Sequence, residues 1–308
     1  CRGWRMCVSG CPYKKVYFNH TTGKAEKCTM CYPRLEVGQP TVCSETCVGR
    51  LRYLGLVLYD ADRVAEAATE PDETKLMAAQ KSILLDPRDP EVLAEARRSG
   101  IPEDWLEAAQ NSPVYDLACR YDVALPLHPE YRTLPMVWYI PPLSPVVDAL
   151  TETGHDGEDI GNLFGAIDAM RIPIEYLAEL FTAGDIDPVN DVLRKLAAMR
   201  SHMRTVNLGE AVDPSIAEAV GMTIAEMESM YRLLAIAKYE DRYVIPSAHT
   251  EVANALLEEL PGCSVDFTST NGDSPVGEAK PVPVTIESFQ LTKQRLEAEQ
   301  YSDLDHKQ

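Results

Sequence analysis

CRGWRMCVSGCP (Cys1–Pro12) and CTMCYPRLEVGQPTVCSETC (Cys28–Cys47) hold seven of the nine cysteines in this 308-residue chain, and their spacing decides how the rest is read. The second group is C-x2-C-x11-C-x3-C, built from Cys28, Cys31, Cys43 and Cys47. The first is C-x5-C-x3-C-P, built from Cys1, Cys7, Cys11 and Pro12. Bacterial ferredoxins bind iron–sulfur clusters with C-x2-C-x2-C-x3-C-P, in which the fourth cysteine ligates the neighbouring cluster. Trp4 stands where the second cysteine of that run would fall.

Iron in such clusters is held by thiolates, and an x2 spacing lets one tight loop wrap a cluster corner by corner. The cysteine after x3 reaches a second cluster, so ligand runs come in interlocking pairs. Cys1 and Cys7 are then assigned to one cluster and Cys11 to its neighbour; Cys28, Cys31 and Cys43 serve another, and Cys47 crosses to a fourth. With tryptophan at position 4 one iron loses its ligand, so the expectation is one three-iron cluster beside three four-iron clusters. Such a set needs about fifteen cysteines, against the seven in this stretch. The chain opens directly on a ligand, Cys1, and is therefore expected to be the C-terminal portion of a longer protein with two further runs upstream.

Two other uses of these cysteines compete. A four-cysteine zinc site accommodates C-x2-C-x11-C-x3-C taken alone. The C-P ending, the tryptophan-substituted run and the x3 spacing in both groups favour iron. A disulfide framework suits small secreted chains, not seven cysteines crowded into the first 47 positions of 308. Cys119 and Cys263 stand singly and read as buried free thiols.

Length allows a small cluster module plus a larger body, and the 45% hydrophobic share is that of a globular protein. No run approaches the roughly 18 apolar residues of a membrane span; the most apolar stretch, Leu51 to Tyr59, is interrupted by Arg52. Net charge is −19, but residues 1–59 carry nine Lys/Arg against three Glu, or +6, leaving −25 on the remainder. A basic module offsets the negative charge of thiolate-bound clusters and raises their potential; a solvated basic face is the alternative. So acidic a chain is not a nucleic-acid binder.

In chain order, Val16–Asn19 and the turn at Thr22-Gly23 predict a short hairpin between the cysteine groups. Pro33, Gly38 and Pro40 give the x11 interval a loop character. Asp60–Thr69 and Asp72–Leu85 read as helical. Asp89-Pro90 starts a helix that Gly100 ends, and Pro102 and Pro113 open two more. LPLHPEYRTLPMVWYIPPLSP (Leu125–Pro145) is too rich in proline for helix, and Met136–Ile140 forms at most an edge strand. This segment is either an arm laid over another surface or a loop wrapped on its own domain. Thr151–Asp159 reads as a polar linker. Asp187-Pro188 caps a helix with Val189, Val192, Leu193, Leu196 and Met199 on one face and Arg194, Lys195, Arg200 and Arg204 toward its C-terminal half. Thr223 and Glu226 form a capping box before the stripe Ile224, Met227, Tyr231 and Leu234.

The expected architecture is α+β: a partial ferredoxin-like cluster module over 1–59, a mainly helical region with extended arms over 60–270, and a flexible acidic tail over 271–308. No catalytic residue is assigned. The six histidines show no H-x-x-x-H pair, no G-x-S-x-G occurs, and Glu278 stands where a phosphate-binding loop needs lysine.

Three stretches, CRGWRMCVSGCPYKKVYF, EKCTMCYPRLEVGQPTVCSETCVGRLRYLG and the Leu125–Pro145 segment, resemble the β subunit of membrane-bound respiratory nitrate reductase. The resemblance runs from Cys1 to about Val265. It implies an electron relay between a quinol-oxidising cytochrome b subunit (γ) and a molybdopterin catalytic subunit (α) that reduces nitrate. The implied cofactors are three [4Fe-4S] clusters and one [3Fe-4S] cluster. Carried over by position, Cys1 and Cys7 bind the [3Fe-4S] cluster with Trp4 as a non-ligand, Cys11 a [4Fe-4S] cluster, Cys28, Cys31 and Cys43 a second, and Cys47 a third. The implied location is peripheral to the cell membrane, on its cytoplasmic face, through the partner subunits. The β subunit of nitrite oxidoreductase, which runs the relay in reverse, is the near alternative; a zinc-stabilised, non-redox assembly module is the alternative of another class.

Overall fold

The computed structural model describes residues 1–35, 39–143, 164, 165, 167, 172–244 and 246. The linker Thr151–Asp159, Cys263 and the tail 271–308 lie outside the described residues.

The predicted hairpin forms. Strands β1 (Val16–Asn19) and β2 (Lys24–Lys27) pair antiparallel with Val16 opposite Lys27 and Asn19 opposite Lys24. The Asn19 side chain closes the turn by accepting from the backbone N–H groups of Thr21 and Thr22 at 2.9 and 3.1 Å. The interval between Cys31 and Cys43 departs from the loop expected. It carries a single helical turn at Tyr32–Leu35, whose Pro33 lies in the first turn where it costs little, and a second turn, Val42–Glu45, starts at the end of the interval.

After Cys47 the chain enters a helical body stitched by very short strands. β3 (Arg52–Tyr53) pairs with β6 (Trp138–Tyr139), and β4 (Leu58–Tyr59) with β5 (Leu84–Leu85). The helix expected to reach Leu85 stops at Ser82, because Leu84 and Leu85 pair with β4 instead. Helix Pro90–Arg98 starts as predicted, with the Asp89 carboxylate accepting from the Glu91 N–H at 2.8 Å. Helices Glu103–Asn111 and Pro113–Tyr115 follow, the latter running into a π-helical turn at Asp116–Arg120. Gly55 is required by close approach: a Cβ there would lie 2.4 Å from Ser112 Oγ, the group that caps Pro113–Tyr115.

The segment from Leu125 wraps on its own body. Leu125, Trp138 and Ile140 are buried, with Leu125 bridged to Tyr139. The His128 N–H donates to the Leu180 carbonyl at 2.7 Å, and Arg132 donates to the carbonyls of Ala68 and Glu70 at 2.9 and 2.6 Å.

The long helix is Ile186–Leu208, capped by Asp185 rather than Asp187, whose own N–H is the group capped. It ends at Gly209 in the left-handed region, beyond the basic residues. Two of those cations are used inside the fold: Lys195 donates to the Tyr121 carbonyl at 3.1 Å, and Arg194 lies 4.4 Å from the Phe164 ring. Val189, Val192, Leu193, Leu196 and Met199 are buried as their spacing requires. The Thr223–Glu226 capping box forms before helix Ile224–Tyr231.

The main core joins these helices to Tyr53, Leu117, Leu125 and Trp138; a smaller core holds Leu58, Ala96, Leu106 and Ala109. Among the described residues, neither core takes any before Tyr53.

Candidate metal centre in the cysteine loops

All eight cysteines among the described residues are free thiols. The first loop is laid against the hairpin. Cys1 Sγ accepts from the Ala25 N–H at 3.4 Å, so its sulfur sits on β2. Gly3 and Arg5 both have left-handed backbone, with φ of 72 and 61°, which bends the chain around Trp4. The Arg5 guanidinium lies 4.4 Å from the Phe18 ring and pins this bend to β1. Cys7 is exposed within the helical turn Met6–Gly10, and Cys11 ends that turn in extended backbone. The Lys15 N–H, aided by those of Tyr13 and its neighbours, lowers the Cys11 thiol pKa below its ordinary value. Trp4 itself is 82% exposed, so packing within the described chain gives no reason for an indole at a ligand position.

The second loop is shaped by consecutive left-handed residues, Met30 and Cys31, with φ of 57 and 52°. For residues with a β-carbon this conformation is uncommon and gathers where function demands it. The turn aims the Met30 N–H at Cys28 Sγ, 3.4 Å away. Cys43 lies in the turn Val42–Glu45 and donates from Sγ to Thr41 Oγ1 at 3.4 Å. Cys47 follows the end of that turn, and its sulfur accepts from the Leu51 N–H at 3.4 Å after a left-handed Arg50.

The helical body meets both loops. Tyr13 hydrogen-bonds Thr133 at 2.5 Å and packs edge-on against Tyr131, tying the first loop to the wrapped segment. Arg52 donates to the Cys43 carbonyl at 3.1 Å. Tyr139, beside Arg52, has its phenol pushed up by burial; Arg52 pulls it down, and the thiols of Cys43, Cys28 and Cys47 push it up. The charges of three thiols from separate turns are thus felt at one phenol. Among the described residues, however, no three His, Cys, Asp or Glu side chains converge as ligands of a single metal ion. The fit to iron–sulfur chemistry is that of partial ligand sets: free thiols with backbone N–H donors aimed at their sulfurs, on basic loops.

Cys119 is a different kind of thiol. It is half-buried beside Lys81 and Asp122, and desolvation pushes its pKa up to about 11. Sequence reading missed Tyr13, Arg52, Tyr139 and the Arg242–Tyr243 pair as neighbours of the cysteine loops. Tyr243 donates to the Ser44 carbonyl across 199 positions of sequence, a separation at which no local pattern signals contact.

Residues 1–57 match the family described as 4Fe-4S dicluster domain, and residues 143–224 the family described as respiratory nitrate reductase beta C-terminal. The chain is 56% identical over 274 residues to the nitrate reductase beta chain of Bacillus subtilis, covering 88% of this chain and 56% of that protein. It is 54% identical over 267 residues to the respiratory nitrate reductase 2 beta chain of Escherichia coli, covering 87% and 52%. The chain thus spans about half the length of these two relatives. With a respiratory nitrate reductase beta chain of Bradyrhizobium it is 42% identical over 246 residues, covering 80% of this chain and 70% of the relative. An N-terminal dicluster ferredoxin-like module, a helical remainder and a relative matched over most of its length place this chain in the respiratory nitrate reductase beta-chain family.

Proposed function

We propose that the chain is part of an electron relay, and that its cysteines are ligands in the sets their spacing suggests. Cys1 and Cys7 belong to a [3Fe-4S] cluster with Trp4 as the non-ligand, and Cys11 to a [4Fe-4S] cluster. Cys28, Cys31 and Cys43 belong to a second [4Fe-4S] cluster, and Cys47 to a third. The observation that carries the reading is the set of sulfurs of Cys1, Cys28 and Cys47, each accepting a backbone N–H at 3.4 Å. Hydrogen bonds to the sulfurs stabilise thiolate charge and are among the levers that set a cluster's potential. When bound, the clusters supply one-electron carriage. The chain's own part is to orient the sulfurs, to surround them with Arg50, Arg52 and the N–H groups, and to hold both loops on the helical body.

The relay runs from a quinol-oxidising cytochrome b subunit to a molybdopterin subunit that reduces nitrate, with this chain peripheral on the cytoplasmic face of the membrane. No helix among the described residues is long and apolar enough to cross a membrane. The division into a cluster module (1–59), a helical body (60–270) and an acidic tail (271–308) belongs to the same reading.

The test is metal analysis with electron paramagnetic resonance of the purified holoprotein. Iron with acid-labile sulfide, and a three-iron signal in the oxidised state, is expected. Zinc without sulfide would replace the relay by an assembly role.

A further inference from the structure

The described part of the helical body ends on a segment that folds back over the second cysteine loop. Helix Ile224–Tyr231 runs into a π-helical turn, Arg232–Ile236, and then into the short helix Tyr239–Arg242. The π turn leaves the Ala235 carbonyl free to accept from Arg50 at 3.0 Å. Tyr239 donates to Glu45 at 3.4 Å, and Tyr243 to the Ser44 carbonyl at 2.9 Å. These three bonds reach residues on both sides of Cys47.

Between them lies Arg242, only 8% exposed. Its guanidinium stands 5.6 Å from the Tyr53 ring and 5.0 Å from the Tyr243 ring. The ring faces compensate part of the charge. Among the described residues its Nε and Nη2 have no hydrogen-bond partner and no carboxylate pairs with it; burial pushes the pKa of the neighbouring Tyr53 phenol up and the Arg242 charge pulls it down. A buried cation is costly unless an anion answers it. The other cations at this loop differ: Arg50 and Arg52 are exposed, and each donates to a backbone carbonyl. The two rings that enclose Arg242 both connect to the second cysteine loop. Tyr53 is two residues past Leu51, whose N–H donates to Cys47 Sγ, and Ser44 adjoins Cys43.

Building on the ligand reading above, we propose that Arg242 is an electrostatic tuning residue: its buried guanidinium, which no carboxylate pairs among the described residues, answers the negative charge of the cluster that Cys47 ligates and holds that cluster's potential up. A cation near a cluster favours the reduced, more negative state. Burial keeps this effect from being screened by salt and water, as it would be at Arg50 or Arg52.

The experiment is a redox titration followed by electron paramagnetic resonance on the purified holoprotein, with iron and sulfide measured in parallel. The signal read is the one lost in Cys47→Ser. Arg242→Gln is expected to keep full iron and sulfide. It should lower the equilibrium constant for reducing that centre about tenfold, which is 59 mV for a one-electron couple. Arg242→Lys should stay within about twofold of wild type. Arg97→Gln, which removes an exposed arginine paired with Glu103, should not move it. Full iron with an unchanged potential in Arg242→Gln overturns the proposal and leaves the ligand reading standing. Zinc in place of iron in the wild type overturns the ligand reading itself. Should Arg242→Gln lose iron, Arg242→Met is read instead, since it fills the slot between the two rings without charge. Failure of both to load while Arg242→Lys loads would assign the residue to folding and overturn the tuning role.

Discussion

Cys43→Ser and Cys47→Ser are expected to damage two different clusters, although only three residues separate them. The two sulfurs are held by different backbone. Cys43 sits inside the turn Val42–Glu45 and bonds Thr41, whereas Cys47 follows Thr46, which ends the turn, and is bonded from Leu51. Cys43 is exposed and Cys47 half-buried, so exchanging sulfur for oxygen removes almost no packing. The polypeptide itself should change by about 0.5 kcal/mol or less, the usual range for such sites. Any larger effect is therefore the cluster's. On the proposed set of three four-iron clusters and one three-iron cluster, iron content should fall from about fifteen to about eleven per protein in each variant. The assay is iron content with electron paramagnetic resonance of the reduced holoprotein. Each variant should lose one four-iron signal, and not the same one. Loss of the same signal in both, with all others intact, would refute the crossover and make Cys28, Cys31, Cys43 and Cys47 a single four-cysteine site.

Trp4→Cys should add one iron and abolish the three-iron signal of the oxidised protein; with Trp4 82% exposed, the exchange should cost the fold about 1 kcal/mol at most. Retention of that signal at unchanged iron content would show that position 4 does not govern the cluster. Leu193→Ala, at a side chain with no exposed surface in the main core, should destabilise the body by roughly 2–5 kcal/mol in denaturant melts. Leu208→Ala, at a side chain 58% exposed, should fall within about 0.5 kcal/mol. Cys119, with its pKa pushed up to about 11, should have a thiolate fraction at pH 8 about a hundredfold below that of an ordinary thiol. Alkylation mapping of the native protein should therefore leave it unmodified, and prompt labelling would contradict the burial described.

The parts legible in the sequence are those governed by local chemistry. Asp89-Pro90 and Thr223-x-x-Glu226 announce their helix starts because a cap is satisfied within three residues. The hairpin is legible because Asn19 closes its own turn, and the long helix because its apolar residues recur at helical spacing. The misreadings occur where a distant partner decides. Leu84 and Leu85 continue a helical pattern, yet β4 claims them. Asp187 has the residue type of a cap and Pro188 that of a first turn, but Asp185 caps first. The residues of the wrapped segment fit either an arm or a wrapped loop, since Trp138 needs Tyr53 opposite it to be core. At the candidate centre the cysteines were legible and their surroundings were not: Arg52, Tyr139 and Arg242 acquire a role only through strand pairing and the fold-back at the end of the body.

That asymmetry has a physical basis. Among the described residues, 1–50 contribute no side chain to either hydrophobic core; the buried residues there are Pro40 and the polar Thr41 and Ser44, while Trp4, Met6, Val42 and Val48 are exposed. A segment of that kind cannot meet its conformational entropy cost by apolar burial. What holds it, within the described residues, is a short hairpin, the left-handed turns at the cysteines and a few bonds to the body at Thr133, Ala235 and Tyr243. Metal ligation contributes folding free energy where a core does not. The loops are thus poised to be ordered by what their thiols bind, while the helical body supplies a frame packed around two cores of its own. For a relay this separation is useful. Electron transfer requires fixed positions of its carriers, and bonds such as Tyr243 to Ser44 and Arg52 to Cys43 fix the loops from outside without occupying the sulfurs.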